Sequence, residues 1–267
     1  MQQRKKRLII LCSILSVVLV IVVLASTLFN LKSVRVEFKN LRCVLNENTI
    51  SSASIVDAGK FDFGSNILFK DVDEYANNIE KTFGYAQVLK IERIFPSSYT
   101  VHIAEREPCV LVKKGEEFVV LDRFCKVLKV SNFENLIAEN FENACPILNI
   151  DGLDASTLEM GDFVENETLK NTLIAVRMGL WSVTRFTNVL SDITLSLTEN
   201  SELLVEMTCR PASGGGKIVV QGANDLDNKM LRAFGVLDKI LVGSNPVFEY
   251  INVSSGGNVT SFPEFVK

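Results

Sequence analysis

Residues 71–105 read DVDEYANNIEKTFGYAQVLKIERIFPSSYTVHIAE, and this stretch carries the clearest local folding signals of the chain. Its first half holds an apolar stripe at helical spacing, formed by Val72, Tyr75, Ile79 and Phe83. This spacing predicts a helix over residues 72–83. A helix in a small domain packs its apolar stripe on a sheet, so we expect Ile79 and Phe83 to be buried.

The second half of the same stretch predicts a β-hairpin. Residues 87–95 and 98–105 are strand-like runs separated by a break at Pro96. Upstream, residues 34–38 alternate apolar and polar, which indicates a strand, and residues 46–58 form a weak helical pattern. The predicted order is strand, helix, helix, strand, strand, a small α+β unit.

Further toward the N-terminus, residues 8–29 read LIILCSILSVVLVIVVLASTLF and hold no charged residue. As a helix these 22 residues would span about 33 Å, enough to cross a hydrocarbon core of about 30 Å. A basic cluster precedes them: Arg4, Lys5, Lys6 and Arg7. Basic flanks mark the cytoplasmic side of a span. We therefore predict a cytoplasmic tail over residues 1–7, a transmembrane helix over 8–29 and an extracytoplasmic body.

A cleaved signal peptide is the alternative interpretation of the same stretch. Val23, Leu24 and Ala25 resemble a cleavage site. The apolar run exceeds the 7–15 residues of an ordinary signal and continues through Leu28 and Phe29. These features favour an uncleaved anchor.

Downstream of the hairpin the pattern predicts a second α+β domain. Strands are predicted over residues 109–113, 117–122, 126–130, 145–150, 193–197, 203–208, 217–221 and 248–253. Helices are predicted over residues 165–186 and 224–242, each with an apolar stripe. An irregular acidic stretch covers residues 132–143.

Charge and cysteine content narrow the classes of function. The net charge is −4, of which the basic cluster contributes +4, so residues 8–267 carry −8. An acidic body without a basic cluster argues against nucleic-acid binding and against electrostatic docking on anionic lipid. Six cysteines occur without a CxxC motif: Cys12, Cys43, Cys109, Cys125, Cys145 and Cys209. We expect each cysteine outside the anchor to act as a small buried apolar residue. The sequence leaves open one disulfide among them and does not show which two cysteines would form it.

The sequence also lacks the motifs of common catalysts. His102 is the single histidine and lies in a predicted strand, where packing explains it better than base catalysis. HExxH, GxSxG, SxxK and P-loop patterns do not occur. We therefore expect neither an enzyme nor a cofactor or metal site.

The hairpin region resembles the POTRA domain of the FtsQ/DivIB family of bacterial cell-division proteins. The matching core is RxxPxxxxVxxxER, formed by Arg93, Pro96, Val101, Glu105 and Arg106. Further matches are Phe69, Val72, Asp73, Val88, Ile91, Tyr99, Ile103 and Pro108. Weaker matches in the second domain are Asp122, Pro146, Leu148 and Gly152, while Cys125 stands where the family has glycine.

The resemblance covers nearly the whole chain and implies its domain organisation. It implies a POTRA domain over residues 32–106, a second domain on an antiparallel-rich sheet over 107–255, and a flexible tail over 256–267. It further implies that the protein is a scaffold of the divisome, located in the cytoplasmic membrane at the division septum. Expected partners are division proteins of the FtsB/DivIC and FtsL type, with other divisome proteins at the POTRA domain.

Two other functions compete with this scaffold. One is a membrane-anchored enzyme of the cell wall, which would need a polar catalytic residue that the sequence does not offer. The other is a translocation module of the outer-membrane type, which has tandem POTRA repeats before a β-barrel.

The last predicted strand is the candidate binding edge. A strand added last often lies at the edge of a sheet, where a partner segment can extend the sheet. Residues 248–253 include no lysine or proline to protect such an edge. In the family that the chain resembles, this strand and the following residues take the FtsB/DivIC-type partner. The matching positions are Tyr250, Ile251, Asn252, Val253, Ser254, Ser255 and Gly256.

Overall fold

The computed structural model describes residues 13–20, 23, 27–39, 50–132, 134–135, 145–183, 188–243 and 247–262. The chain forms two compact units, one ending at Glu105 and the other beginning at Arg106. Both units combine helices with a sheet, so the predicted α+β class is confirmed.

The first unit follows the predicted order of strand, helix, helix, strand and strand. Its elements are β1 (Ser33–Lys39), α1 (Ser52–Gly59), α2 (Asp73–Thr82), β2 (Ala86–Ile94) and β3 (Ser98–Glu105). The three strands pair in the order β1-β3-β2, with β1 parallel and β2 antiparallel to β3. β1 and β3 therefore begin at the end of the sheet where β2 finishes.

Helix α2 buries only the middle of its predicted stripe. Tyr75 and Ile79 are buried, and the Tyr75 ring packs 4.5 Å from the ring of Phe61. Phe83 is half-buried, so the expectation that it is buried is wrong. The helix ends at Thr82 and Phe83 has an extended backbone, which takes its side chain off the helical stripe.

The predicted anchor is described only in part. Residues 13–20 are helical and exposed, and residues 27–28 are helical before a turn at Phe29. Among the described residues, no helix combines the length and the apolar character needed to cross a membrane. The cluster Arg4–Arg7 and the rest of the predicted span lie outside the described residues.

The described residues of the second unit form nine strands and two α-helices. The strands of its first half are β4 (Pro108–Lys114), β5 (Glu117–Asp122), β6 (Val127–Asn132) and β7 (Ile147–Ile150). Those of its second half are β8 (Leu190–Leu197), β9 (Leu203–Cys209), β10 (Lys217–Gln221), β11 (Tyr250–Val253) and β12 (Val259–Phe262). The helices are α3 (Glu167–Trp181) and α4 (Leu226–Val242).

All nine strands belong to one sheet in the order β12-β11-β10-β9-β8-β7-β4-β5-β6. Five of the eight pairings are antiparallel, as predicted, and the parallel ones are β10 with β11, β7 with β8 and β4 with β7. The predicted irregular stretch between β6 and β7 lies almost entirely outside the described residues.

Helices α3 and α4 pack closely on each other. The Asn166 side chain accepts a hydrogen bond from the Leu169 amide and caps the start of α3. Leu169 and Leu173 of α3 and Phe234 of α4 are fully buried. At the contact, Gly179 lies against the ring of Phe234, and a Cβ at this position would overlap that ring. Position 179 therefore requires glycine because the two helices approach each other closely there, and not because of its backbone angles.

A buried ion pair lies at the start of the second unit. Arg106 places a guanidinium nitrogen 2.9 Å from a carboxylate oxygen of Asp122, and both side chains are buried. The other carboxylate oxygen of Asp122 accepts hydrogen bonds from the amides of Phe124 and Lys126. One carboxylate thus neutralises a buried cation and fixes the turn between β5 and β6.

The four described cysteines are all buried and unbridged: Cys109, Cys125, Cys145 and Cys209. They behave as the small apolar residues that the sequence predicted. Burial raises the pKa of each thiol from 9.0 to about 12. Cys12 and Cys43 lie outside the described residues.

The raised pKa values of these thiols predict that the second unit loses stability at alkaline pH. Above pH 9 the unfolded chain releases thiol protons that the folded chain retains, so the free energy of unfolding falls as pH rises from 9 toward 12. Replacing Cys209 by alanine should flatten this decline. Urea unfolding of both proteins across that pH range measures the slope; equal slopes for the wild type and the variant would contradict the prediction.

Candidate partner-binding site

The predicted binding strand does not lie at the edge of its sheet. Strand β11 pairs with β10 on one side and with β12 on the other. The expectation of an edge strand over residues 248–253 is therefore wrong. The reason is that four further residues, Val259–Phe262, fold back as β12 and cover it.

The same strand corrects the predicted tail. Residues 256–267 were expected to be flexible, but Gly256 and Gly257 belong to a tight turn that leads into β12. The Ser254 amide donates to the carbonyl oxygen of Asn258 at 3.0 Å, and the Ser254 hydroxyl accepts from the Asn258 amide at 3.2 Å. Residues 263–267 lie outside the described residues.

Helix α4 holds this turn in place. An Arg232 guanidinium nitrogen donates to the carbonyl oxygen of Gly257 at 3.0 Å. Gly257 has a φ of +81°, a backbone conformation that glycine adopts without strain. Ser255 and Gly256, two of the predicted site residues, are exposed at the tip of this anchored turn.

The seven predicted site residues divide between two faces of the sheet and the turn. Ile251 and Val253 are fully buried in the core beneath α4, so their side chains are not available to a partner. Tyr250 and Asn252 alternate with them and lie on the opposite face. Tyr250 is 41% exposed, and Asn252 is half-buried. Ser254, Ser255 and Gly256 form the turn.

On that opposite face, Tyr250 is the centre of an exposed apolar patch. Its ring stacks on Phe262 of β12, with ring centroids 6.2 Å apart and planes 20° apart. Val247 and Phe262 are more than half exposed. A shallow depression of about 720 Å³ runs beside them and is lined by Gly215, Gly216, Lys217, Val219, Val247, Phe248, Glu249, Tyr250 and Phe262.

The start of β11 is set by a close backbone approach. A Cβ on Gly216 would come within 2.5 Å of the Phe248 carbonyl oxygen, so only glycine lets these segments meet. The Lys217 amide donates to the Glu249 carbonyl oxygen at 3.0 Å, and the Glu249 amide donates to the Phe262 carbonyl oxygen at 2.9 Å. The loop before β10 and the C-terminal strand together position Tyr250.

Phe262 and Val247 are the parts of this patch that sequence reasoning missed. The signal for β12 is weak: residues 259–262 read VTSF and do not alternate, but they include Val259 and Phe262 and follow a turn that contains Gly256, Gly257 and Asn258. A short segment after a glycine-rich turn is typical both of the second strand of a hairpin and of a loose tail. The structure shows the hairpin.

Elsewhere, His102 does not contribute to an open site. Its side chain is 8% exposed, and its ring nitrogens lie 3.2 Å from a carboxylate oxygen of Glu37 and of Glu92. The pKa of the Glu92 carboxyl is held below its ordinary value, first by a hydrogen bond from Lys90 and then by one from His102. In the described part of the chain, no group of three His, Cys, Asp or Glu side chains is arranged to hold a metal ion.

The sequence is similar to two curated proteins over nearly its full length. It is 25% identical over 237 residues to the cell division protein DivIB of Clostridium tetani, covering 88% of this chain and 79% of that protein. It is 21% identical over 242 residues to DivIB of Clostridium acetobutylicum, covering 90% of this chain and 86% of that protein. No protein-family model matches the chain. The similarity to two DivIB proteins runs along both units and confirms the predicted resemblance to the FtsQ/DivIB family of cell-division proteins.

Proposed function

We propose that this chain is a non-enzymatic scaffold of the bacterial divisome. It is anchored in the cytoplasmic membrane by residues 8–29 and works at the septum, outside the cytoplasm. There it binds FtsB/DivIC-type and FtsL-type proteins and couples division assembly to septal wall synthesis. The observation that carries the proposal is the similarity to two cell-division proteins over about nine tenths of the chain. The strand and helix order of the first unit supports a POTRA domain, which serves other divisome proteins.

The environment of His102 supports the non-enzymatic role. A general base needs a ring nitrogen directed at a substrate. Both nitrogens of His102 instead face carboxylates of neighbouring strands, Glu37 on β1 and Glu92 on β2. Both contacts join neighbouring strands of the same sheet, so they do not favour the alternative of a cell-wall enzyme.

The partner surface is the C-terminal hairpin, with β12 as its outermost strand. Among the described residues, β12 is the last strand on this side of the sheet. An extended partner segment adds to such a strand by main-chain pairing, while side chains on the neighbouring face give specificity. Tyr250 and Phe262 supply that face with two stacked, exposed rings. The site thus keeps Tyr250 from the predicted set and moves the pairing strand from β11 to β12.

The hydrogen-bond register identifies which amides of β12 point outward. The Ser254 amide bonds to Asn258, so residues 258, 260 and 262 direct their backbone groups toward β11. In an antiparallel ladder the residues between them point the other way. Val259 therefore directs its amide to the outer side of β12.

A proline at this position tests the proposed pairing. Val259→Pro removes the outward amide and leaves the ladder to β11 intact, so the variant should stay folded and lose its partner. Val259→Ala is the matched control, because it shortens the same side chain and keeps the amide. The measurement is affinity capture of each tagged protein from detergent-solubilised cells, with quantification of co-purifying FtsB/DivIC-type protein. Equal partner yields from two folded variants would move the binding surface away from β12.

Orientation in the membrane gives a separate prediction. The basic cluster Arg4–Arg7 should hold the N-terminus in the cytoplasm. A reporter enzyme that is active only outside the cytoplasm should be active when fused after Lys267. Neutral residues in place of the four basic ones should weaken this orientation. An inactive but stably made fusion to the wild-type chain would contradict the proposed topology.

A further inference from the structure

The first unit exposes a cluster of large apolar side chains at the end of its sheet where β1 and β3 begin. Phe69 is 85% exposed and Phe95 is 60% exposed, which is unusual for phenylalanine in a folded domain. We name the whole cluster the apolar rim, and it consists of Leu28, Phe63, Leu68, Phe69, Ile94 and Phe95.

Hydrogen bonds join the chain segments that carry the rim. The Ile67 amide donates to the Phe29 carbonyl oxygen at 2.9 Å, and the Leu31 amide donates to the Ser65 carbonyl oxygen at 2.8 Å. The Lys32 amide donates to the Ser97 carbonyl oxygen at 2.8 Å. The segments around residues 28–32, 63–70 and 94–97 therefore meet at one end of the unit.

The side chain of Arg93 strengthens this junction. Its guanidinium donates to the Ile67 carbonyl oxygen at 2.9 Å and to the Lys70 carbonyl oxygen at 2.7 Å. These bonds fix the loop that presents Leu68 and Phe69 to solvent. The exposure of Phe69 thus belongs to a braced loop.

The rim surrounds the point where the apolar N-terminal stretch enters the unit. Phe29, the last residue of that stretch, packs edge-on against Phe95 with ring centroids 6.0 Å apart. The 22 residues that end there carry no charge, and the described ones are exposed apart from Phe29. The rim is therefore continuous with a segment whose sequence suits the interior of a bilayer.

We propose that the apolar rim docks the first unit on the lipid bilayer, with Phe69 and Phe95 at the level of the headgroups and upper acyl chains. The proposal rests on the membrane anchoring put forward above. Aromatic side chains are enriched at this depth, where an apolar ring meets a polar interface. Lys32 lies on one of the same segments and is exposed, and its flexible stem lets the ammonium group reach the headgroup level. The Lys70 ammonium is instead paired with the Asp62 carboxylate at 2.8 Å. Docking through the rim would hold the sheet end of this unit at the membrane surface.

Tryptophan reporters in the full chain test the docking. The background variant is Trp181→Phe, which removes the single native tryptophan. Phe69→Trp and Phe95→Trp then place a reporter in the rim. Leu89→Trp is the matched control, because Leu89 is 49% exposed on the same unit and lies about 16 Å along β2 from Ile94. Each protein is reconstituted in phosphatidylcholine–phosphatidylglycerol vesicles with lipids brominated near the top of the acyl chain.

The rim reporters should emit at shorter wavelength than the control and be quenched severalfold more strongly by the brominated lipid. Flotation of the vesicles distinguishes docking of the rim from anchoring of the chain in the membrane. Protein that floats with rim reporters quenched no more than Leu89→Trp would overturn docking and leave the anchor standing. Protein that does not float would overturn both. Melting temperatures equal to that of the background protein establish that each reporter variant is folded.

Discussion

Replacing Phe234 by alanine is expected to lower the free energy of unfolding of the second unit by roughly 3–5 kcal/mol. Phe234 is fully buried between α3 and α4, and its ring fills the space that Gly179 leaves open. Removing the ring loses apolar burial and creates a cavity that two packed helices close only in part. Urea unfolding measured by the fluorescence of Trp181, which lies at the end of α3, reports on this unit directly.

Leu231→Ala on the same helix is the matched control, because Leu231 lies on the exposed side of α4 and should change stability little. A double-mutant cycle sharpens the test. Gly179→Ala should destabilise the wild type, since the added methyl group overlaps the Phe234 ring. In the Phe234→Ala background the same methyl group enters vacated space and should cost far less. Additive effects would contradict the proposed contact.

Replacing Asp122 by alanine should destabilise the second unit by about 3–5 kcal/mol. The change removes the carboxylate that lies 2.9 Å from the buried Arg106 guanidinium. It also removes the acceptor for the amides of Phe124 and Lys126 in the turn between β5 and β6. Urea unfolding of the full chain again measures the loss.

Two comparisons separate the charge from the turn. Asp122→Asn keeps an oxygen for the turn amides but no longer neutralises Arg106, so it isolates the effect of the charge. The double change Arg106→Met with Asp122→Leu removes both charges and should cost much less than the sum of single losses. A single Asp122→Ala variant as stable as the wild type would show that the pair does not stabilise this fold.

Local patterns predicted the elements because each pattern depends on a few neighbouring residues. The stripe of α4 predicted from spacing is buried in full: Leu226, Met230, Phe234, Leu237 and Leu241. The prediction failed where a single backbone turn changed the geometry. Phe83 fits the spacing of α2, but the helix ends one residue earlier and the side chain leaves the stripe.

Edge position is a property that local patterns do not encode. Whether β11 lies inside or at the edge of the sheet depends on a partner strand, and β12 contributes four residues. The apolar rim was missed for a related reason. Phe69 and Phe95 belong to separate segments, and only the fold brings both to one end of the unit while leaving them exposed.

The parallel pairing of β10 and β11 also sets an order of events during synthesis. The chain must make the whole of α4 before it returns to add β11, and β12 follows only after another turn. Chains grow from the N-terminus, so most of the core of the second unit exists before the hairpin that carries Tyr250 and Phe262. A chain truncated before Val259 would lack the strand proposed to meet the partner. Partner binding would in this way select completed molecules over unfinished ones.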